Sequence, residues 1–136
     1  MIRSFTPDDI IFIEQIGTII DPEYKFKINP FMNCLVYEEN KKVIGFISFL
    51  IIYEKAEIID IAVSLEQQRQ SIGTKLLDAF LNECLNKKCE SITLEVRAGN
   101  ESAISFYEKH GFREISIRKS YYRNGEDALI MIKMVI

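Results

Sequence analysis

Ala56-Glu57-Ile58-Ile59-Asp60-Ile61-Ala62-Val63, followed by Gln68-Arg69-Gln70-Ser71-Ile72-Gly73, is the stretch whose reading decides the fold. The first segment alternates well enough to be a strand. Beyond the second, Ile72, Leu76, Leu77, Phe80, Leu81, Cys84 and Leu85 recur at helical spacing. A short polar turn therefore opens a helix directly after a strand. The first N–H groups of a helix have no helical partner, and the helix dipole adds positive potential there. Such a turn suits a pyrophosphate. The plain alternative is an ordinary strand-to-helix connection, since a lone motif of this kind is weakly specific.

Outward from this unit, the pattern predicts strand, helix, an irregular stretch, three strands, helix, strand, helix and two strands. Ile2-Arg3-Ser4-Phe5 reads as a short strand. Thr6 is an N-cap with Pro7 at the first helical position, and the helix is expected to end near Asp21-Pro22. Residues 21–33 hold Pro22, Pro30 and two asparagines and are the least legible part. Three strands are expected between Cys34 and Val63, with turns at Glu39-Asn40-Lys41-Lys42 and Glu54-Lys55. In Ser91 to Val96, Ile92, Leu94 and Val96 face one way while Thr93 and Glu95 face the other. Asn100 is a natural N-cap for a helix that Gly111 ends. Residues 112–122 and 127–135 are expected to pair through Asn124-Gly125, a common two-residue hairpin turn. The alternation gives an α/β (α+β) fold, a mixed sheet flanked by helices.

The length, 136 residues, fits a single domain over 1–136, and 48 % hydrophobic content suits a globular core. The formal net charge is -3, and no run of Lys or Arg is long enough to track a phosphate backbone, so nucleic acid is not an expected partner. The longest apolar run, Val43 to Tyr53, falls short of the roughly 20 residues that span a bilayer. No membrane association is expected, no signal peptide is read at Met1-Ile2-Arg3-Ser4-Phe5, and a cytoplasmic location is the default. Cys34, Cys84 and Cys89 lack metal or redox spacing, and Cys84 lies on the apolar helix stripe. His110 is the only histidine, which excludes a Ser-His or multi-His site by count, and no metal is expected.

The turn at Gln68 to Gly73 also resembles the acyl-CoA signature of the GNAT N-acetyltransferases, Gln/Arg-x-x-Gly-x-Gly/Ala. Gln68 and Gly73 match, and Ser71 stands where the family most often has glycine. Leu94-Glu95-Val96-Arg97, Asn100, Ala103-Ile104-x-Phe106-Tyr107 and Gly111-Phe112 follow in the family's order. The chain is most similar to the branch that acetylates protein N-terminal amines, including Arg118-Lys119-x-Tyr121-Tyr122 and Glu126-Asp127-Ala128-x-x-Met131 near the end. The resemblance implies a sheet splayed at its two middle strands, acetyl-CoA as donor, and direct attack by an amine in a ternary complex. It departs in having no Trp, and so no Pro-Trp motif near the acceptor site.

The resemblance also implies roles. Gln68, Arg69, Gln70, Ser71, Ile72, Gly73 and Thr74 would hold the diphosphate. Ile61, Ala62 and Val63 would offer a free backbone edge to the pantetheine arm, and a backbone N–H there would polarise the thioester carbonyl. Asn100 would bond the arm as well as cap its helix. Glu95 matches the branch's base, and Glu57 matches the base of the histone-acetylating branch. Tyr107 would serve the departing thiolate, and Tyr121 and Tyr122 would flank the acceptor. Each has a plainer reading: exposed strand carboxylates, a packed phenol, cross-strand aromatic pairing. Asp60 is placed on the opposite strand face from Glu57 and has no role, and His110 is structural. The acceptor expected is a protein or peptide α-amine. A small amine or polyamine, and a non-catalytic acyl-CoA-binding domain, are the rivals. An α-amine, with a pKa of about 7.7–8.0, demands less of a carboxylate base than a lysine at about 10.4.

Overall fold

In the computed structural model, residues 1–68 and 71–135 are described. Arg69 and Gln70, two of the residues assigned to the anion turn, lie outside the described residues. The described elements run β1 (Ile2–Ser4), α1 (Ile10–Gly17), β2 (Met32–Glu39), β3 (Lys42–Ile52), β4 (Lys55–Val63), α2 (Ile72–Asn86), β5 (Ser91–Arg97), α3 (Glu101–Lys109), β6 (Arg113–Arg118) and β7 (Ala128–Met134). One seven-stranded sheet has the order β1-β2-β3-β4-β5-β7-β6. β4 and β5 are parallel and joined through α2; every other neighbouring pair is antiparallel.

The sheet separates two apolar layers. On one face Ile47, Phe49, Ile58, Ile92 and Leu94 pack against Leu76, Leu77 and Phe80 of α2 and Tyr107 of α3. On the other, Val36, Phe46 and Ala62 pack against Ile13 and Ile16 of α1. Along β5 the alternation holds: Ile92, Leu94 and Val96 are buried, while Thr93 and Glu95 face away.

α1 is preceded by a single 3₁₀ turn, Pro7–Asp9. The Thr6 N–H donates to Asp9 Oδ2 at 2.7 Å, which ties the helix entry to the Arg3–Asp9 ion pair at 2.8 Å. Arg3 holds the Asp9 carboxyl below its usual range. α1 stops at Gly17, short of the expected Asp21-Pro22. The Tyr24 ring packs onto Gly17 so closely that a Cβ there would fall inside it. The following segment returns over α1, held by burial of Phe26 and by its N–H donating to Glu14 Oε2 at 2.9 Å.

Three further expectations are corrected. The β6–β7 connection is not a two-residue hairpin. Pairing ends at Arg118↔Ala128, and residues 119–127 form a longer loop. The Ser120 N–H turns aside to Asp127 Oδ1 at 2.9 Å, and Asn124-Gly125 makes only a local turn within that loop. The β3–β4 turn falls at Tyr53-Glu54, with Tyr53 left-handed at φ 56°. Finally, Asp60 and Glu57 share a strand face. Phe49 pairs with Ile58 and Ser48 with Asp60, so Ile59 is an extra residue, a β-bulge. Leu50 opposite Glu57 and Ser48 opposite Asp60 lie two apart on β3, so their partners point the same way.

Candidate active site

β4 and β5 pair only from Lys55↔Ser91 to Ile58↔Leu94. Beyond that point β4 continues on β3 and β5 continues on β7, so the two middle strands part. The bulge at Ile59 sits at the parting point and bends β4 away. The gap opens into a cleft of about 980 Å³. Its wall includes Ile61, Ala62 and Val63, whose edge facing β5 carries no strand partner.

At one end of the cleft stands the start of α2. Gln68, Ser71, Ile72, Gly73 and Thr74 all line it. The Lys75 N–H donates to Ser71 O at 3.0 Å, which leaves the N–H groups of Ile72, Gly73 and Thr74 ahead of the helical ladder. A Cβ added at Gly73 would lie 3.7 Å from Phe106 Cζ and 4.0 Å from Val63 Cγ2, an ordinary contact. Both neighbours line the cleft, so a longer side chain at position 73 would grow into its mouth. Ser71 is left-handed, with φ 62° and ψ 19°. That conformation favours glycine and explains why a glycine suits this position. Ser71→Gly should therefore relieve backbone strain and leave acetyl-CoA affinity unchanged or tighter. Isothermal titration decides it; a tenfold loss would mean that the serine hydroxyl holds the ligand itself.

Asn100 caps α3, its Oδ1 accepting from the Ala103 N–H at 3.2 Å, and it faces the cleft with Ser102, Ala103 and Phe106. Tyr107 is placed differently. It is 7 % exposed, does not line the cleft, and its ring lies edge-on to Phe106 and Phe112 at 5.4 and 5.6 Å. Burial, and then Asp60, push its phenol well above the usual range, so it stays protonated. His110 faces the Phe106 carbonyl through Nδ1 at 2.9 Å and ends α3.

At the other end Glu57, Asp60 and Glu95 line the same cleft. Arg118 reaches Glu95 at 3.9 Å and lies over the Tyr121 ring at 5.4 Å. Arg97 lies over the Tyr122 ring at 4.0 Å, and the two tyrosines meet edge to face. Burial and the Glu95 charge raise Glu57, while Arg118 opposes them. Asp60 is pushed up to about 6 by burial. Ile19 and Ile20, just past α1, complete this wall. Sequence reading missed them, and the only signal was a pair of apolar residues beyond the end of a helix stripe.

The arrangement joins a helix N-terminus suited to phosphates, an unpaired strand edge suited to amides, and carboxylates beyond. Residues 4–112 match the model of the Acetyltransferase (GNAT) family. The chain belongs to the GNAT acetyltransferase family. It therefore carries an N-acetyltransferase domain, an acyl-transfer fold whose family donor is acetyl-CoA. It is 38 % identical over 96 residues to the [Ribosomal protein bS18]-alanine N-acetyltransferase of Escherichia coli, covering 68 % of this chain and 65 % of that one. It is 41 % identical over 80 residues to the N-alpha-acetyltransferase of Saccharolobus solfataricus, covering 58 % and 48 %. The matched region thus spans from just under half to about two thirds of the length of these relatives. The crystal structure of Ard1 from Thermoplasma volcanium superposes with a TM-score of 0.90 at 31 % identity, covering 100 % of this chain and 97 % of that one. Among the described residues no helix is long and apolar enough to cross a membrane.

Proposed function

We propose that residues 1–136 form one acetyl-CoA-dependent N-acetyltransferase domain, acting in the cytoplasm on the α-amine of a protein or peptide. The observation that carries this reading is the divided cleft. A helix start suited to phosphates lies at one end, carboxylates and two tyrosines at the other, and the β4 edge beyond its last pair with β5 runs between them. The named relatives act on protein N-termini, which supports the acceptor class.

In this reading Gln68, Ser71, Ile72, Gly73 and Thr74 hold the diphosphate, with Arg69 and Gln70 assigned to the same turn from sequence alone. Ile61, Ala62, Val63 and Asn100 receive the pantetheine arm. A β4 backbone N–H polarises the thioester carbonyl. The amine nitrogen attacks the carbonyl carbon, the C–S bond breaks, and the sulfur leaves. Glu95 takes the nitrogen's proton during the attack. Tyr107, kept protonated by burial behind the cleft-lining Phe106, is the residue the family resemblance assigns to the departing sulfur, a role that requires its hydroxyl to reach past Phe106. Glu57, Tyr121 and Tyr122 shape the acceptor side.

A second acceptor class is favoured by one observation: Glu57, Asp60 and Glu95 line one cleft and draw in cations. Thiol release from acetyl-CoA across peptides of varied N-terminal residue, polyamines and aminoglycosides separates the two. A peptide acceptor should be acetylated at its N-terminus and not at an internal lysine, as read by mass spectrometry. Tyr121→Ala and Tyr122→Ala should raise the peptide KM several-fold and leave that of acetyl-CoA unchanged. Turnover of polyamines alone would favour the second class. Tight acetyl-CoA binding without turnover of any amine would make this a binding domain.

A further inference from the structure

The acceptor end of the cleft contains a carboxylate that the reaction so far leaves idle. Asp60 follows the β-bulge at Ile59, just past the last β4–β5 pair, and lines the cleft on the same strand face as Glu57. Register places it in a row with Ser48 of β3 and Cys34 of β2, side by side on the α1 face of the sheet. Ser48 is fully buried, and its Oγ has no hydrogen-bond partner among the described residues.

Phenols and a thiol that stay neutral surround Asp60, and the carboxylates Glu57 and Glu95 share its cleft, Glu57 raised by burial and by the Glu95 charge. Tyr24, from the segment after α1, is raised far above the usual phenol range by burial and by Asp60. Cys34 is pushed up to about 12 by burial, with Asp9 and Asp60 adding to the shift. Tyr107 of α3 is raised by burial and by Asp60. Asp9 has Arg3, and Glu95 has Arg118. Among the described residues no Lys, Arg or His comes within ion-pair distance of Asp60. A half-buried carboxylate without a counter-ion lowers stability. The natural counter-ion in this position is the ammonium form of the acceptor itself.

Resting on the N-acetyltransferase reading, we propose that Asp60 binds the acceptor's ammonium group and removes its first proton, before the nitrogen attacks. The N–H bond breaks, the proton passes to a carboxylate oxygen of Asp60, and the electron pair stays on nitrogen. The second nitrogen proton goes to Glu95 during the attack; Glu95 passes it to solvent or to the released thiolate, and Asp60 returns its own to solvent between turnovers. Tyr24 is a positioning residue: its phenol favours the ionised carboxylate and holds the Asp60 pKa down against the effect of burial. Its place depends on the side-chain-free surface of Gly17. With a pKa of about 6, Asp60 is mostly ionised at neutral pH and still basic enough to accept.

The test uses the whole chain and whichever amine is turned over. The free-enzyme profile, kcat/KM against pH, should show an acid limb near pH 6 in the wild type. Asp60→Asn should lose that limb and lower kcat/KM by about a hundredfold, within the usual range for such groups. The amine's KM should rise while acetyl-CoA affinity stays normal. Tyr24→Phe should move the limb to higher pH, which a purely packing role would not do. Melting supplies a fold check that needs no substrate. The native pKa of Asp60 lies above the unfolded value, so its charge destabilises the fold increasingly as pH rises through about 6. Asp60→Asn should thus raise Tm at pH 8 more than at pH 4. An unchanged limb in Asp60→Asn, or a kcat/KM within twofold of wild type, overturns the proposal alone. Turnover of polyamines but no peptide overturns the α-amine reading and leaves this test to run on the polyamine. Absence of turnover with every amine overturns both.

Discussion

Acetyl-CoA should raise the melting temperature of the wild-type chain on the order of 10 °C at a hundredfold excess over Kd, and Gly73→Glu should abolish the rise. The first effect follows from mass action, because the ligand binds the native state and not the unfolded chain. The second follows from place and charge. Gly73 opens α2 beside the three N–H groups that precede its ladder, and its missing side chain faces Phe106 and Val63 across the cleft mouth. A carboxylate about 4 Å from a single phosphate charge costs about 4 kcal/mol at an effective dielectric constant near 20, roughly a thousandfold in Kd. The substitution should spare the fold itself. Position 73 has no backbone conformation reserved for glycine, its Cβ contacts are ordinary, and Glu is favourable in the first turn of a helix. Differential scanning fluorimetry of both proteins, with and without acetyl-CoA, gives the answer. An equal rise in the variant would place the diphosphate elsewhere.

The parts of the fold that were legible are those where one rule acts locally. α2 could be read because its apolar stripe keeps helical spacing from Ile72 to Cys84. β5 could be read because Ile92, Leu94 and Val96 alternate against one face. Asn100 announced α3 because its side chain caps the helix by itself. The missed features depend on partners distant in sequence. Nothing in Ile58-Ile59-Asp60-Ile61 marks a bulge, since the run has neither Gly nor Pro and all three isoleucines are good strand residues. Only pairing with β3 shows that Ile59 is extra, and that one residue moves Asp60 onto the face of Glu57. Asn124-Gly125 carried a strong hairpin signal, yet Ser120 and Asp127 tie off the loop before the strands reach it. Ile19 and Ile20 line the cleft just past the end of α1 at Gly17, where the Tyr24 ring packs, a placement that spacing cannot reveal. The cleft wall made by the end of β4 and the start of α2 was therefore legible from local pattern, while the wall at Asp60, Ile19 and Ile20 depends on distant contacts.

Glu95→Gln should lower kcat by about 10²-fold or more, in keeping with loss of a general base, while acetyl-CoA affinity and Tm stay near wild type. Glutamine keeps the shape and a hydrogen-bonding oxygen but cannot take a proton. Glu95 stands one residue past the last β4–β5 pair, where the cleft has opened, and Arg118 at 3.9 Å orients its carboxylate. Glu57 pairs with Thr93 while the strands are still joined, one step behind the parting point. Glu57→Gln should therefore cost less in kcat and show mainly in the amine's KM. Single-turnover rates with acetyl-CoA saturating separate the two effects, because binding and chemistry are then read apart. A larger kcat loss in Glu57→Gln would move the base onto β4 and the mechanism towards the histone-acetylating type. Tyr107→Phe completes the comparison. Removing the hydroxyl leaves the ring between Phe106 and Phe112, so stability should hold and only the step that releases sulfur should slow. That loss should be largest with donors whose thiol is least acidic, since they depend most on a hydrogen bond to the departing sulfur. If Tyr107→Phe turns over at the full rate, Tyr107 serves the core and the thiolate departs without its help.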